Sequence, residues 1–296
     1  MKTAIVGLGL IGGSMSIDLR KAGVATELVG VDNNKAHAGR AVDLGLVDEI
    51  ASLEDAVSDA DLVITAIPVN VIKDVLFRVL DNIGEQATVI DTGSTKSMIC
   101  KAIVNHRNRA QFVAAHPLAG TENSGPDAAF SGLFKGKTNI ICEEQKSSAW
   151  SLQIAHQIFS TLEMRTISMD PVEHDKHIAY VSHLSHVSAF LLGQTVLDME
   201  KDEKNIFNLA GSGFASTVRL AKSSPDMWAP IFEQNAENLS KALLEYITHL
   251  QTFQHHLMNR DVKELHRIMT NANHIRKVLE GMEPTQKPVQ LIENKS

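Results

Sequence analysis

The stretch Gly7-Leu8-Gly9-Leu10-Ile11-Gly12 decides how the N-terminal part of this chain folds. It directly follows the apolar run Thr3–Val6, which predicts a strand, and it opens a helical pattern at Gly13-Ser14. Three glycines in this spacing let the backbone turn tightly, approach a pyrophosphate closely and pack the helix against the strand. The start of the helix also presents free N–H groups to phosphates. The pattern predicts a dinucleotide-binding unit, with cofactor contacts at Gly7, Gly9, Leu10, Ile11 and Gly12.

An acidic residue at the end of the second predicted strand selects the dinucleotide. The strand Glu27–Val31 is followed by Asp32, twenty residues after Gly12. A carboxylate at this position accepts hydrogen bonds from the adenosine ribose and repels a 2′-phosphate. Asn33 and Asn34 follow, with no arginine to receive such a phosphate, so we predict NAD rather than NADP as the cofactor. Further cofactor contacts are predicted after later strands, at Ile67, Pro68 and Thr92.

The first 170 residues alternate short apolar runs with helical patterns. This alternation is typical of βα units around a parallel sheet, whose strands are apolar on both faces. The predicted strands are Thr3–Val6, Glu27–Val31, Leu62–Ala66, Thr88–Asp91, Phe112–Ala115, Thr138–Cys142 and Arg165–Ser168. The clearest predicted helices are Ser14–Ala22, Ser52–Ser58, Val71–Leu80 and Trp150–Leu162. We therefore predict an α/β fold in which residues 1–170 form an N-terminal Rossmann-type, doubly wound parallel sheet that binds NAD.

From about Pro171 the pattern changes to long helices with apolar residues three or four positions apart. The clearest of these are Val181–Leu197, Met227–Met258 and Val262–Leu279. Because such helices bury their apolar faces against something, we predict that residues 171–280 form an all-helical substrate and dimerisation domain, and that the chain is a homodimer. Residues 281–296 contain two prolines and little periodicity, which predicts a disordered tail.

Composition and charge exclude several other classes of protein. The 296 residues are 44% hydrophobic and 21% charged, as expected of a folded two-domain protein. A net charge of −7 argues against binding to nucleic acid or to a membrane surface, since both are polyanions. Thr3–Ile17 resembles a signal peptide only superficially, because it contains four glycines. Cys100 and Cys142 form neither a disulfide framework nor a metal motif, which indicates the reducing cytoplasm.

Three polar segments follow predicted strands, at the edge of the sheet where ligands bind in open α/β folds. They are Thr65–Pro68, Asp91–Lys96 and His116–Glu122. His116 precedes a proline, which cannot donate to a sheet ladder. Taken alone, this histidine is either a satisfied loop residue or a reactive group in the ligand site.

Polar side chains recur in the helical part. His183 and His186 lie one helical turn apart and so on the same face. Two histidines so spaced could ligate zinc, but no convincing third ligand accompanies them, and we predict no metal site. Arg219 and Trp228 follow in the next polar stretch. An isolated arginine is usually solvated, so Arg219 alone indicates no function.

Together these segments closely resemble the prephenate dehydrogenase family, which includes the arogenate dehydrogenases, over nearly the whole chain through about Leu279. Two positions depart from the family pattern, which often has proline where Ser185 stands and an Arg-Asp pair where Ala215 and Ser216 stand. The resemblance rests on the glycine turn with Gly13-Ser14, DTGSTK at Asp91–Lys96, HPLAGTE at His116–Glu122, EHD at Glu173–Asp175, SHLSH at Ser182–His186 and the segment from Arg219 to Trp228.

The resemblance implies NAD-dependent oxidative decarboxylation of prephenate to 4-hydroxyphenylpyruvate in tyrosine biosynthesis. His116 matches the family's catalytic histidine, which takes the proton of the substrate alcohol. Ser94 matches a serine that shares this alcohol or positions the nicotinamide. Arg219 matches the arginine that binds a substrate carboxylate, although which of the two carboxylates it holds stays open. Further substrate-binding or gating residues carried over from the family are Ser182, His186, Glu122 and Trp228.

Three alternatives stay open at this point. Arogenate oxidation would be favoured by an acid near the substrate amine, and the sequence alone does not locate one. A β-hydroxyacid dehydrogenase shares the two-domain plan but typically relies on a lysine in the helical domain. A non-catalytic NAD-binding module would not need His116, Ser94 and Arg219 together. The 16 residues after Glu280 are few for a regulatory domain, so we expect any inhibition by tyrosine to act at the active site.

Overall fold

One sheet organises the N-terminal half of the chain. The structure is a computed structural model that describes residues 1–202 and 206–282. Within these residues, eight strands pair in the order β3-β2-β1-β4-β5-β6-β7-β8. The strands are β1 (Lys2–Val6), β2 (Glu27–Val31), β3 (Glu49–Ile50), β4 (Leu62–Thr65), β5 (Thr88–Asp91), β6 (Phe112–Pro117), β7 (Thr138–Cys142) and β8 (Arg165–Met169).

Strands β1 to β6 are mutually parallel, which confirms the predicted doubly wound fold. The chain runs outward from β1 in one direction through β2 and β3, and then in the other through β4, β5 and β6. Ligands bind beside this reversal, beyond the carboxyl ends of the strands. Two features were not predicted. Strand β3 has only two residues, both exposed, so it leaves no apolar run in the sequence.

The second unpredicted feature is the direction of the last two strands. Strand β7 is antiparallel to β6, and β8 is parallel to β7. Residues 118–137, between β6 and β7, contain turns and one short 3₁₀ segment rather than a crossover helix. A parallel return requires a crossover connection, usually a helix. Without one the chain turns back on itself, and the wholly parallel sheet predicted for residues 1–170 is wrong at this edge.

Helices cover both faces of the sheet. On one face, residues of α1 and α6 pack against alternate strand residues such as Ile5 and Ile64. On the other face, residues of α3, α4 and α5 pack against the intervening residues, such as Ala4 and Val63. This alternation is that of strands buried on both sides. The helices are α1 (Leu10–Lys21), α2 (Lys35–Asp43), α3 (Leu53–Ser58), α4 (Val69–Asn82), α5 (Ser97–Ala102) and α6 (Ala149–Thr161).

After β8 the described chain contains helices and no strands, as predicted. The predicted helix bounds need correction at three places. The helix expected from Val181 begins instead with a π-helical turn, Ala179–His183, and continues to Asp202. The helix expected over Met227–Met258 is interrupted at Asn235. The helices are α7 (Pro171–Ile178), α8 (Leu184–Asp202), α9 (Ser212–Thr217), α10 (Pro225–Gln234), α11 (Ala236–Met258), α12 (Val262–Ala272) and α13 (Ile275–Met282).

Asparagines account for two of these corrections. Asn235 caps α10, and its buried side chain bonds to groups outside the helix. Asn273 likewise caps α12 and ends the helix predicted over Val262–Leu279. Asparagine favours such positions because its amide competes with the helical backbone for hydrogen bonds. Helix α13 includes Gly281 and Met282, which were predicted to belong to the disordered tail. The rest of that tail lies outside the described residues.

The chain divides into two compact units, residues 1–242 and the residues from Leu243 onward. The candidate site lies entirely within the first unit. The predicted domain boundary between residues 170 and 171 stays a prediction. In the described ranges, the structure contains no helix that is both long and apolar enough to cross a membrane.

Candidate active site

A cavity of about 560 Å³ lies at the carboxyl ends of β1, β4, β5 and β6, within the size range of small-molecule sites. Helical residues between Ile178 and Ile231 form its other wall. The cavity brings together most of the residues predicted from the sequence. Those that line it are Gly9, Leu10, Ile11, Ile67, Pro68, Thr92, Ser94, His116, Ser182, His186, Arg219 and Trp228.

The glycine turn forms one end of this cavity. Gly7 has a φ of +99°, and a Cβ added to it would lie 2.3 Å from the carbonyl oxygen of Ala66. A Cβ on Gly12 would lie 2.0 Å from the carbonyl oxygen of Gly7. A Cβ on Gly9, by contrast, would have no protein atom within 4 Å. The fold therefore requires glycine at positions 7 and 12, whereas at position 9 the absent side chain leaves open space that a bound pyrophosphate can occupy.

Asp32 does not line the cavity but supports the turn. Its Oδ2 accepts a hydrogen bond from the Leu8 amide at 3.0 Å, and its Oδ1 accepts one from the Asn34 amide at 2.8 Å. The half-buried carboxylate thus lies at the end of β2, beside the glycine turn. This is the position at which a ribose-binding acid is expected in a dinucleotide fold, so the residues present fit a dinucleotide.

The histidine end of the cavity is centred on His116, which lines the cavity and begins a chain of hydrogen bonds. Its Nδ1 lies 2.8 Å from Nε2 of His174, and Nδ1 of His174 lies 2.8 Å from Oδ1 of Asp175. The carboxylate of Asp175 also accepts hydrogen bonds from the amides of Lys96, at 2.8 Å, and Ser97, at 2.9 Å. All three members of the chain are buried. Helix α7 therefore supplies two residues that lie behind His116.

Burial decides the charge states at this end. Desolvation, together with the nearby His174, Lys96 and His183, lowers the pKa of His116 well below its ordinary value. His116 is therefore uncharged at neutral pH, as a proton acceptor must be. Burial alone would raise the pKa of Asp175, but hydrogen bonds from His174, Lys96 and Ser97 outweigh it and lower that pKa. Asp175 is therefore ionised.

A buried ion pair holds the strand ends next to His116. Nζ of Lys96 donates to Asp91 and, at 2.6 Å, to the carbonyl of Ala115. Asp91 in turn accepts a hydrogen bond from the amide of Ala115 at 3.1 Å. Neither charged side chain is exposed to solvent. The pair therefore ties β5 to β6 at the residue that precedes His116.

The helical wall presents aromatic and imidazole rings. His186 stacks on Trp228 with ring centroids 3.5 Å apart, and its Nδ1 donates to the carbonyl of Ser182 at 3.0 Å. Nδ1 of His183 accepts a hydrogen bond from Nδ2 of Asn235 at 3.2 Å. Burial lowers the pKa of His183 to about 4. The predicted His186 and its neighbour His183 thus line the cavity as uncharged rings. The described residues contain no cluster of three or more metal-ligating side chains.

Arg219 carries the only permanent charge among the cavity-lining side chains in the part of the chain that the structure describes. Its Nη1 donates to Oε2 of Glu122 at 3.1 Å. Arg219 is more exposed than Glu122, with side-chain exposures of 53% and 28%. Glu122 does not itself line the cavity. The predicted substrate-binding acid therefore acts on the cavity only through the arginine.

The chain was compared with known proteins. Residues 15–168 match the family described as prephenate dehydrogenase, nucleotide-binding domain, and residues 170–271 match prephenate dehydrogenase, dimerization domain. The chain belongs to the prephenate dehydrogenase family. Among its curated relatives is the cyclohexadienyl dehydrogenase of Zymomonas mobilis, which is 30% identical over 87% of this chain and 89% of that protein. The prephenate dehydrogenase of Bacillus subtilis is 29% identical over 92% of this chain and 74% of that protein.

Solved structures of family members have the same fold. Prephenate dehydrogenase from Aquifex aeolicus, in complex with hydroxyphenyl propionate and NAD⁺, is 32% identical, with a TM-score of 0.85 over 94% of this chain and 98% of that chain. Synechocystis arogenate dehydrogenase is 28% identical, with a TM-score of 0.73 over 94% of this chain and all of that chain. The similarity extends over both the sheet and the helices that follow it.

Three parts of the site are not predicted by the sequence. They are the roles of His174 and Asp175 in the Glu173–Asp175 motif and the pairing of Lys96 with Asp91. The signal for the ion pair was present, since a lysine and an aspartate within one strand-end segment must find partners when buried. The contact of His174 with His116 had no local signal, because the two residues are 58 positions apart.

Proposed function

We propose that this chain catalyses the NAD-dependent oxidative decarboxylation of prephenate to 4-hydroxyphenylpyruvate, a step of tyrosine biosynthesis. The observation that carries the proposal is the position of His116, a buried and uncharged imidazole on the wall of the cavity that also holds the glycine turn and Arg219. A base, a dinucleotide turn and a carboxylate-binding cation are the three groups that the reaction requires. The similar proteins from Aquifex aeolicus and Bacillus subtilis, both prephenate dehydrogenases, support this proposal.

The chemistry assigns one task to each group. The chemistry that NAD would supply, when bound, is a hydride acceptor for the alcohol carbon of the substrate. His116 accepts the alcohol proton on the ring nitrogen that does not face His174, and Ser94 hydrogen-bonds the same alcohol or positions the nicotinamide. Arg219 binds a carboxylate, for which its planar guanidinium is suited. The resulting ketone is a vinylogous β-keto acid, so loss of CO2 follows and makes the ring aromatic.

The cofactor would be held by the glycine turn and the strand ends beside it. The pyrophosphate would occupy the open space at Gly9, and Asp32, beside the glycine turn, would accept the ribose hydroxyls. A 2′-phosphate would meet this carboxylate, which favours NAD over NADP. Further contacts are proposed for the cavity-lining residues Leu10, Ile11, Ile67, Pro68 and Thr92.

The lining of the cavity favours prephenate over arogenate. Prephenate carries two carboxylates, whereas arogenate carries an ammonium group on its side chain. No carboxylate lines the cavity among the described residues, and the charged group that does is Arg219. An ammonium would therefore be desolvated without a counter-ion. Arogenate stays the second candidate because Synechocystis arogenate dehydrogenase is a similar structure.

The test is NAD⁺ reduction by the purified protein, with prephenate and arogenate compared and NAD⁺ and NADP⁺ compared for each. We expect kcat/KM for prephenate with NAD⁺ to exceed that for arogenate by at least about tenfold, the effect of about 1.4 kcal/mol in differential binding. Faster arogenate oxidation would transfer the proposal to that substrate. Absence of NADH formation with either substrate would support a non-catalytic NAD-binding module instead.

We also propose that the chain is a homodimer assembled through its helical part, in the cytoplasm. Residues 170–271 match a dimerization domain, and α8 exposes large apolar side chains, among them Leu191 at 56% and Leu197 at 51%. Several large apolar side chains exposed on one helix are typical of a face that another chain covers. Light scattering during gel filtration should give twice the mass of the chain, and the mass of a single chain would contradict the proposal. The cytoplasmic location is supported by two unpaired, buried cysteines.

A further inference from the structure

We propose that His174, held by Asp175, sets the tautomer of His116 and takes up the positive charge that develops when His116 accepts a proton. His174 is then a positioning residue for the oxidation, because it contacts His116 and does not line the cavity. The inference rests on the proposed function for the identity of the proton donor. The direction of the hydrogen bonds, however, can be measured without any substrate.

The direction of each hydrogen bond follows from Asp175. An ionised carboxylate can only accept hydrogen bonds, and Asp175 already accepts two from the amides of Lys96 and Ser97. Nδ1 of His174, 2.8 Å from Oδ1 of Asp175, must therefore carry a hydrogen. In an uncharged imidazole the other nitrogen is then an acceptor. Nε2 of His174 can accept only from Nδ1–H of His116, 2.8 Å away.

This arrangement leaves Nε2 of His116 as a free base. The described residues offer that nitrogen no hydrogen bond, and His116 lines the cavity. If this hydrogen bond had the opposite direction, Nε2–H of His174 would donate to Nδ1 of His116. The proton of His116 would then lie on Nε2 of His116 itself. A proton in that place would prevent His116 from accepting one from an alcohol. For an uncharged His174, Asp175 excludes this state, because the carboxylate has no hydrogen to donate to an unprotonated Nδ1 of His174.

The same chain can move charge away from the cavity. As the alcohol O–H bond breaks, an Nε2–H bond forms on His116, whose ring becomes an imidazolium. Its Nδ1–H bond can then break as a bond forms between that proton and Nε2 of His174. His116 is again uncharged, now protonated on Nε2, and the imidazolium of His174 lies beside the Asp175 carboxylate. A buried cation is stabilised by such contact with an ionised acceptor.

Asp175 is the acid available to balance the positive charge on the imidazolium of His174. Asp91 also lies near His116, but its carboxylate is occupied by Lys96 and by the amides of Ala115 and Gly93. His183 faces the same region as an uncharged ring, and Lys96 is neutralised by Asp91. The charge on His174 would therefore be balanced by Asp175.

The first experiment is ¹⁵N NMR of protein labelled at histidine, with the His116 signals assigned from the His116→Asn variant. Protonated and unprotonated ring nitrogens have well-separated shifts, so the spectrum reports the tautomer directly. In the wild-type protein without substrate, we expect the proton of His116 on Nδ1. A proton on Nε2 would overturn the proposal, whatever the enzyme does with prephenate.

The second experiment compares Asp175→Asn with Glu173→Gln. The two substitutions remove one negative charge each from α7, but Glu173 is exposed. We expect Asp175→Asn to place part of the His116 population in the Nε2–H tautomer and to lower kcat by about 10²–10⁴-fold, as when a buried acid that orients a catalytic imidazole is replaced. KM for prephenate should change by less than about threefold, because Asp175 does not line the cavity. Glu173→Gln should match the wild type.

The third experiment separates orientation from charge uptake. His174→Gln can accept from His116 and donate to Asp175, but it cannot take up a proton, whereas His174→Leu can do neither. We expect the Gln variant to keep the His116 tautomer and to lose about tenfold in kcat, and the Leu variant to lose at least about a hundredfold. If the Gln variant is as slow as the Leu variant, or if Asp175→Asn keeps both tautomer and kcat, the proposal is wrong.

The role proposed for His174 and the proposed function can fail independently of each other. If the wild type oxidises neither prephenate nor arogenate, the proposed function fails, and the NMR spectra still decide the tautomer of His116. If the wild type oxidises prephenate while His116 carries its proton on Nε2, the proposed function stands and the role of His174 falls.

Discussion

The two ends of the cavity are built by different means. The glycine end, Gly7 to Gly12, consists of backbone packed so closely that side chains at two of its positions would overlap carbonyl oxygens. The histidine end, His116 with His174, Asp175, Asp91 and Lys96, consists of buried polar side chains joined by hydrogen bonds. The first end depends on the absence of atoms, whereas the second depends on the exact pairing of the atoms present.

The difference predicts how each end fails. At the glycine end an added methyl group must displace backbone or occupy space meant for a ligand, so binding and packing should suffer before chemistry does. At the histidine end a removed partner leaves a buried charge or donor unsatisfied, which costs more than a lost contact at the surface. Substitutions at the two ends should therefore separate catalysis, which depends on the histidine end, from cofactor affinity, which depends on the glycine end.

The largest effect is expected from His116→Asn. This variant keeps a polar side chain but lacks the free imidazole nitrogen, so kcat with prephenate should fall by about 10²–10⁴-fold, the usual contribution of a general base. The dissociation constant for NAD⁺, measured by fluorescence titration, should stay within about threefold of the wild type, since the glycine end is untouched.

The matched control for that variant is His156→Asn on α6. The side chain of His156 is 52% exposed and lies outside the cavity, so its kcat should equal that of the wild type. Unchanged turnover in His116→Asn would remove His116 from the mechanism. Loss of NAD⁺ binding in the same variant would show that the two ends are not independent.

The next effect concerns stability at the histidine end. Lys96→Met removes one partner of a fully buried ion pair and leaves Asp91 without its cation. We expect the free energy of unfolding, measured with guanidinium chloride, to fall by about 3–5 kcal/mol, because an uncompensated buried charge remains. The control Lys101→Met, at an exposed position of α5, should change it by less than about 0.5 kcal/mol. A small change in Lys96→Met would mean that Asp91 is easily neutralised by a proton.

The same contrast explains how far the sequence alone predicts this fold. Strands β2, β5 and β7 begin and end where the apolar runs predict, because strands buried on both faces must be apolar throughout. Strand β3 has two exposed residues and so no such run. The reversed direction of β7 depends on what is missing before it, a crossover helix, rather than on its own residues.

The site divides in the same way. The glycine end is predictable because the spacing of its three glycines is local, although the group that a Cβ on Gly7 would meet is the distant Ala66. His116, Ser94 and Thr92 are predictable as strand-end residues that must converge at one edge of a parallel sheet. The role of His174 is not, because it exists only once α7 lies behind β6, and no local pattern encodes that contact. Lys96 and Asp91 are close in sequence, but only burial shows that they pair.

A smaller effect is expected from acid. Burial lowers the pKa of His183 to about 4, whereas the unfolded chain binds this proton below about pH 6.5. The unfolded state therefore carries more protons between these pH values. The free energy of unfolding should fall by up to about 3 kcal/mol as the pH falls from 6.5 to 4. Unfolding by guanidinium chloride at pH 7.5, 6.5, 5.5 and 4.5 measures the slope of the unfolding free energy against pH. His183→Gln should reduce this slope without abolishing it, because burial also lowers the pKa of His116, and an unchanged slope would assign the acid sensitivity to other groups.

The smallest effects are expected at the glycine end, where two alanine variants should behave differently. In Gly12→Ala the new Cβ would lie 2.0 Å from the Gly7 carbonyl oxygen, so we expect a loss of about 1–3 kcal/mol in unfolding free energy. Gly9 has φ −84° and ψ −160°, which alanine can adopt, and its Cβ would meet no protein atom within 4 Å. Gly9→Ala should therefore melt like the wild type.

The consequence of Gly9→Ala should appear only when the cofactor binds. The added methyl group fills space next to the start of α1, where the backbone must approach the pyrophosphate, so the dissociation constant for NAD⁺ should rise by about tenfold. With NAD⁺ at saturation, kcat should stay within about threefold of the wild type, because His116 and its partners are unaffected. A stable Gly9→Ala variant with wild-type affinity would show that the open space at Gly9 is not where the pyrophosphate lies. It would then limit the cofactor role of the turn to Gly7 and Gly12, whose absent side chains the fold itself requires.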